Sequence, residues 1–130
     1  MRKLGPLLVV AVVLLAACSG GTPDIEVATE VDLGTVAKGE LAAATIPVSN
    51  RGDGPLTITG VSTSCGCTKA TISSMTIPAG GSETLKIVYD SNAHETDSGT
   101  IERYVFVSSD DPDEDDVQIK FRVVVKTAGS

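Results

Sequence analysis

Val117-Gln118-Ile119-Lys120-Phe121-Arg122-Val123-Val124-Val125-Lys126 decides the fold class. Val117, Ile119, Phe121, Val123 and Val125 recur every second residue, which on an extended chain puts them on one face. The same period-two alternation, bounded by Gly, Pro, Asn and Asp, recurs back to Asp24, and helical spacing of apolar residues is absent. The pattern predicts strands over residues 25–31, 41–49, 56–63, 69–73, 83–90, 100–108 and 117–126. Gly34 and Lys38-Gly39-Glu40 are read as turn material after the first strand. Asn50-Arg51-Gly52-Asp53-Gly54-Pro55 is the clearest turn, since its Gly, Asn and Asp tolerate positive φ and Pro55 cannot extend a ladder. Pro47 fits the second strand poorly, because a Pro there removes a ladder bond unless the strand has an edge. Seven short strands at this spacing predict an all-β, immunoglobulin-like sandwich.

The rest of the chain bounds what such a domain can be. With 130 residues it is long enough for one domain with an ordinary core. Aromatic residues are only 3%, so the core is built from Val, Ile, Leu and Ala, with little left for an aromatic-lined pocket or a base-stacking platform. The formal net charge of -7 repels phosphate backbones and excludes nucleic acid as an expected partner.

The N-terminus reads as a segment for export. Arg2 and Lys3 precede the apolar residues 7–17, a run too short for a span of about 20 residues. It ends in Leu15-Ala16-Ala17-Cys18, which resembles the lipobox of bacterial lipoproteins. Residues 1–17 are accordingly expected to be a cleaved lipoprotein signal peptide. Residues 18–23 are expected to be the lipidated Cys18 and a flexible tether, and residues 24–130 the sandwich domain. This places the protein in the cell envelope, lipid-anchored on the outside of the cytoplasmic membrane or to the outer membrane.

Of three cysteines, Cys65 and Cys67 remain, in Ser64-Cys65-Gly66-Cys67-Thr68. Two Cys separated by one Gly cannot staple two sheets together. Three readings stay open: a disulfide within the loop, a thiolate pair for a soft cation such as Cu(I) or Zn, or a tight loop in which Gly66 supplies an unusual backbone angle and the thiols pack as small apolar groups. His94 is the only histidine, so it is the one imidazole that can join the thiols as a third donor. Alternation of loops between the ends of a sandwich places Cys65, Cys67 and His94 at one pole and the tether at the other. Met75 reads as a loop residue or gap-filler. Asp110, Asp111, Asp113, Glu114, Asp115 and Asp116 match no EF-hand spacing and read as a solvated hairpin tip.

The ordered set Asn50-Arg51-Gly52-Asp53-Gly54-Pro55-Leu56-Thr57-Ile58, Ser64-Cys65-Gly66-Cys67-Thr68, Ile77-Pro78-Ala79-Gly80 and Ser108-Ser109-Asp110-Asp111-Pro112 resembles a bacterial domain-of-unknown-function (DUF) family marked by its SCGCT loop. That family is similar in fold to ASH (Hydin-type) and MSP/PapD-like immunoglobulin domains. The resemblance implies a seven-stranded sandwich on exported proteins, without an established enzymatic activity. The sequence carries no G-x-S-x-G, H-E-x-x-H, Walker A or Rossmann motif. The expected function is therefore a non-catalytic binding or structural module with another envelope protein or polymer as partner. The competing expectation is a thiol protein that binds Cu(I) or exchanges disulfides through Cys65 and Cys67.

Overall fold

A computed structural model describes residues 21–127. The expected signal peptide and Cys18 lie outside the described residues. Nine strands form the domain: β1 (Ile25–Val27), β2 (Glu30–Ala37), β3 (Leu41–Asn50), β4 (Leu56–Thr63), β5 (Thr68–Ile72), β6 (Thr76–Ile77), β7 (Ser82–Asp90), β8 (Gly99–Ser109) and β9 (Asp116–Lys126). They build a four-stranded sheet in the order β1-β3-β7-β5 and a five-stranded sheet in the order β2-β9-β8-β4-β6. Among the described residues every regular element is a strand, as the alternation requires.

The nine strands are seven crossings of the sandwich, two of which change sheets midway. The expected first strand breaks at Ala28-Thr29: β1 pairs with β3, and the chain then passes to the other sheet, where β2 runs parallel to β9. Similarly, β5 pairs with β7, whereas β6 continues in the same direction and pairs with β4 at Leu56 and Thr57. Every other pair of strands is antiparallel, and β2–β9 alone is parallel among the described residues. Gly34 is not turn material. It lies inside β2 at φ +82, at the register shift between Asp32 and Thr35, with its N–H donated to Asp32 Oδ1. Such a bulge needs a residue at ease in the left-handed region.

Pro47 is accommodated by the open side of β3. Asn50 donates to Gly81 O, so even-numbered residues of β3 bond toward β7 and the nitrogen of Pro47 faces the β1 side. There β1 has already ended, its last register partner being Val48.

Between the sheets, Val48, Leu56, Ile58, Ile77, Leu85, Ile87, Val105, Val107, Ile119, Phe121 and Val123 are buried. In β9 the five alternating apolar residues are all buried. Tyr89 and Phe121 meet across the core with ring centroids 6.1 Å apart.

Residues 22–24, which include part of the expected tether, are docked on the β3–β4 turn. Thr22 N donates to Asp53 Oδ1, Asp53 N donates to Thr22 O, and Arg51 N donates to Asp24 O. The β3–β4 turn therefore needs Gly52 and Gly54, because a Cβ on either would run into backbone of residues 21–24.

Candidate functional site

Cys65 and Cys67 sit in the β4–β5 connection, and His94 in the β7–β8 connection. Both loops lie at the end of the sandwich where β7 finishes, because Asp90 N donates to Cys67 O across the last β5–β7 rung. The β2–β3 loop joins them: Lys38 Nζ donates to the carbonyls of His94 and, at 3.0 Å, of Asp97. The loops after β3, β6 and β8 gather at the opposite end, where Gly80 N donates to Asn50 O, Asp24 N to Asn50 Oδ1 and Ile25 N to Asp111 Oδ2.

At the thiol end, both Sγ atoms and an imidazole nitrogen of His94 lie within 4.8 Å of one another. Cys65 and Cys67 are joined as a disulfide with Cα atoms 5.3 Å apart. Their surroundings differ: Cys67 is 2% exposed and belongs to the core cluster, Cys65 is half-buried against it, and His94 is exposed. The loop is held from several sides. Thr63 Oγ1 donates to Cys65 O at 2.9 Å, Ser64 N donates to Tyr104 O, and Ser64 Oγ accepts from Tyr104 N. The hydroxyl of the buried Thr68 lies 3.8 Å from the Cys65 sulfur and 3.5 Å from that of Cys67. Gly66 departs from the expectation of an unusual angle: it is not among the glycines with positive φ, and a Cβ there would meet open space. An open cleft of about 280 Å³, lined by Leu41, Gly66, Cys67, Lys69, Val88 and Asp90, lies beside Cys67.

The His94 loop is fixed by a buried polar group that the sequence did not single out. Asp97, 6% exposed, accepts from Tyr89 Oη at 2.6 Å and from Arg103 Nη2 at 3.2 Å. Burial, then the bond and charge of Asp97, push the Tyr89 phenol well above its ordinary range, with Asp90 adding to the rise and Arg103 opposing it. The only signal in the sequence was a lone Asp in a polar loop, which solvent would satisfy equally well.

The acidic run is two things rather than one. Asp113, Glu114, Asp115 and Asp116 are exposed, in keeping with a solvated tip. Asp111 is not solvated: it is 1% exposed and its carboxylate accepts the backbone N–H groups of Ile25, Asp113 and Glu114. Burial alone raises its pKa, but these three donors outweigh it and hold the carboxyl below its ordinary value. Met75 is a loop residue, 45% exposed, whose carbonyl accepts from Ile58 N.

Residues 25–125 match the family described as protein of unknown function (DUF1573), and the chain belongs to that family. No curated protein matches it. Among solved structures it is similar to a protein of unknown function from Porphyromonas gingivalis W83, at 27% identity and a TM-score of 0.74, covering 84% of this chain and 50% of that one. The chain thus spans half the length of that relative. It is also similar to the YadV chaperone (18% identity, TM-score 0.60, 82% of this chain and 54% of that chain). A third likeness is the ASH/PapD-like domain 7 of human CEP192, at 10% identity and a TM-score of 0.60, covering 98% of this chain and 99% of that one. The latter two likenesses establish a PapD-like immunoglobulin fold.

Proposed function

We propose that the protein is a lipid-anchored, non-catalytic module of the cell envelope. In this reading it is tethered through Cys18 and docks an extended segment of another envelope protein along the outer edge of β5. The observation that carries the docking is the polarity of that edge. Asp90 N bonds Cys67 O and Ser73 N bonds Thr84 O, so residues 67, 69, 71 and 73 bond toward β7. The backbone groups of Ala70 and Ile72 consequently point away from β7, where no strand pairs with β5 among the described residues; those of Thr68 are taken within the loop, its N–H by Cys65 O and its carbonyl by Thr63 Oγ1. An unpaired row of this kind accepts an added strand. The PapD-like fold supports a binding role, and the apolar run ending in Cys18 supports the anchor.

Ala70→Pro tests the docking, since it deletes one outward N–H and leaves the rungs to β7 intact. With a photo-crosslinking residue in place of the exposed Thr71, the parent chain is expected to give discrete protein crosslinks in cells. Ala70→Pro should abolish them while unfolding within about 1 kcal/mol of the parent. An unchanged crosslinking pattern in a folded Ala70→Pro chain would discard the β5 edge.

A further inference from the structure

We propose that Cys65, Cys67 and His94 form a redox-gated site for one Cu(I) ion, open when the two cysteines are reduced and closed when they are joined as the disulfide. The proposal is independent of strand docking at β5.

The donor set carries the choice of ion. Two sulfurs and one imidazole nitrogen already lie within 4.8 Å of one another, and this group contains no carboxylate. Hard cations seek oxygen and would find none in it, whereas thiolate sulfur selects soft Cu(I). The number of donors points the same way. Cu(I) is saturated by three donors in a plane, whereas Zn(II) requires four and would have to take one from water. Metal–donor bonds of about 2.0 to 2.3 Å imply donor separations of about 3.5 to 4 Å. The imidazole nitrogen lies no more than 4.8 Å from either sulfur, whereas the two sulfurs are bonded to each other and must part. Gly66 between them, with open space where a Cβ would stand, leaves room for the two side chains to turn.

The frame is held before any ion arrives. Lys38 ties down the carbonyls of His94 and Asp97, and the Asp97 carboxylate is locked by Tyr89 and Arg103. On the other loop, Thr63 and the Asp90–Cys67 rung fix the backbone on both sides of Gly66. The Thr68 hydroxyl faces both sulfurs and is placed to donate to a thiolate. Entry is from outside, past the exposed His94 and the half-buried Cys65.

The chemistry balances in two steps. A dithiol reductant supplies two electrons and two protons: the Sγ–Sγ bond breaks, two S–H bonds form, and the reductant closes to its own disulfide. Cu(I) then displaces both thiol protons to solvent and is held by two thiolates and the neutral imidazole. Thiol–disulfide exchange with a disulfide oxidant closes the site: the oxidant's S–S bond breaks and it takes up the two electrons with two protons from solvent, the Sγ–Sγ bond re-forms, and Cu(I), left with His94 alone, is released.

The test uses the full chain in detergent with Cys18→Ser, which leaves Cys65 and Cys67 as the two cysteines. Cu(I) bicinchoninate is titrated anaerobically into the reduced chain, the disulfide chain and reduced His94→Ala, with loss of the complex's absorbance as the readout. The reduced chain should withdraw one Cu(I) and the disulfide chain none, a control that shares the same fold. His94→Ala should bind on the order of tenfold more weakly or worse, since even an outer-shell partner is worth about that much. X-ray absorption of the loaded reduced chain should show two sulfurs and one nitrogen. Equal uptake by reduced and disulfide chains overturns the gating. Undiminished affinity in a folded His94→Ala chain, or no uptake by the reduced chain, overturns the site.

Discussion

Asn50 uses its whole side-chain hydrogen-bonding capacity inside the molecule. Its Nδ2 donates to Gly54 O and Ile77 O, and its Oδ1 accepts from Asp24 N and Gly52 N, joining the residue before β1, the β3–β4 turn and β6. Asn50→Ala leaves buried partners unsatisfied and should cost about 3 kcal/mol or more in denaturant unfolding. Asn50→Asp should do no better, because it turns an oxygen toward two carbonyls that now receive an N–H. Asp111 does comparable work at the same end. Asp111→Ala should cost about 2 to 3 kcal/mol, while Asn at Asp113, Asp115 and Asp116 together should change stability little. A carboxyl with a depressed folded pKa stabilises the fold above its unfolded value of about 3.9, and loses that contribution as pH falls through the folded one. Stability of the parent chain should therefore fall below pH 4 more steeply than that of Asp111→Asn; parallel curves would remove Asp111 from the account. In the sequence both residues were legible only as turn formers, since a polar residue in a Gly- and Asp-rich turn looks the same whether it faces water or backbone. Of the three readings left open for the thiol loop, the tight loop gave Gly66 an unusual backbone angle that it does not have, and Gly66→Ala should leave stability within about 0.5 kcal/mol.

Among the elements, the β7–β8 loop is held by the group that closes over Tyr89. Tyr89→Phe removes one donor from a buried carboxylate and should cost about 1 to 3 kcal/mol in denaturant unfolding, with Arg103 left as the remaining partner of Asp97. The pH dependence has the opposite sense to that of Asp111. A phenol with a raised folded pKa contributes stability fully below its unfolded value of 10.0, and that contribution is lost as pH rises above it toward the folded value. Unfolding free energy should thus drop above pH 10 in the parent and less in Tyr89→Phe; identical alkaline profiles would contradict the burial of the phenol. The strands themselves were legible wherever alternation ran long, as in β7, β8 and β9. The β1–β2 break was not, because Ala28 and Thr29 include no Gly or Pro and the alternation carries through the change of sheet. Nor was β6, since two residues cannot display a period of two.

For the molecule as a whole, the division into two ends survived the miscounted strands for a physical reason. Both sheet changes, β1 to β2 and β5 to β6, occur without reversal of direction, so they add strands without altering which end each loop occupies. The alternation of loops consequently placed Cys65, Cys67 and His94 together from sequence, whereas their contact distance depended on Lys38 and Asp97, which no motif marked. A strand such as β9, 11 residues at about 3.4 Å per residue, separates the two ends by roughly 35 Å. With Thr22 docked on the Asp53 turn, the proposed anchor at Cys18 would set the acidic end against the membrane and turn the thiol end away from it. The net charge of -7 would act in the same sense, since anionic headgroups would repel the body and extend the proposed tether. A bulky, membrane-impermeant polyethylene glycol maleimide reports this orientation on vesicle-bound, lipidated chain. After mild reduction, Cys65 should react on the vesicle at nearly its rate in detergent. A thiol placed at the acidic end by Asp113→Cys, in a chain with Cys65→Ser and Cys67→Ser, should react several-fold more slowly on the vesicle than in detergent. Equal shielding at the two ends would mean that the domain lies on its side, and would withdraw the outward-facing thiol end; release of the wild-type chain from membranes with Cys18 unmodified would withdraw the anchor itself.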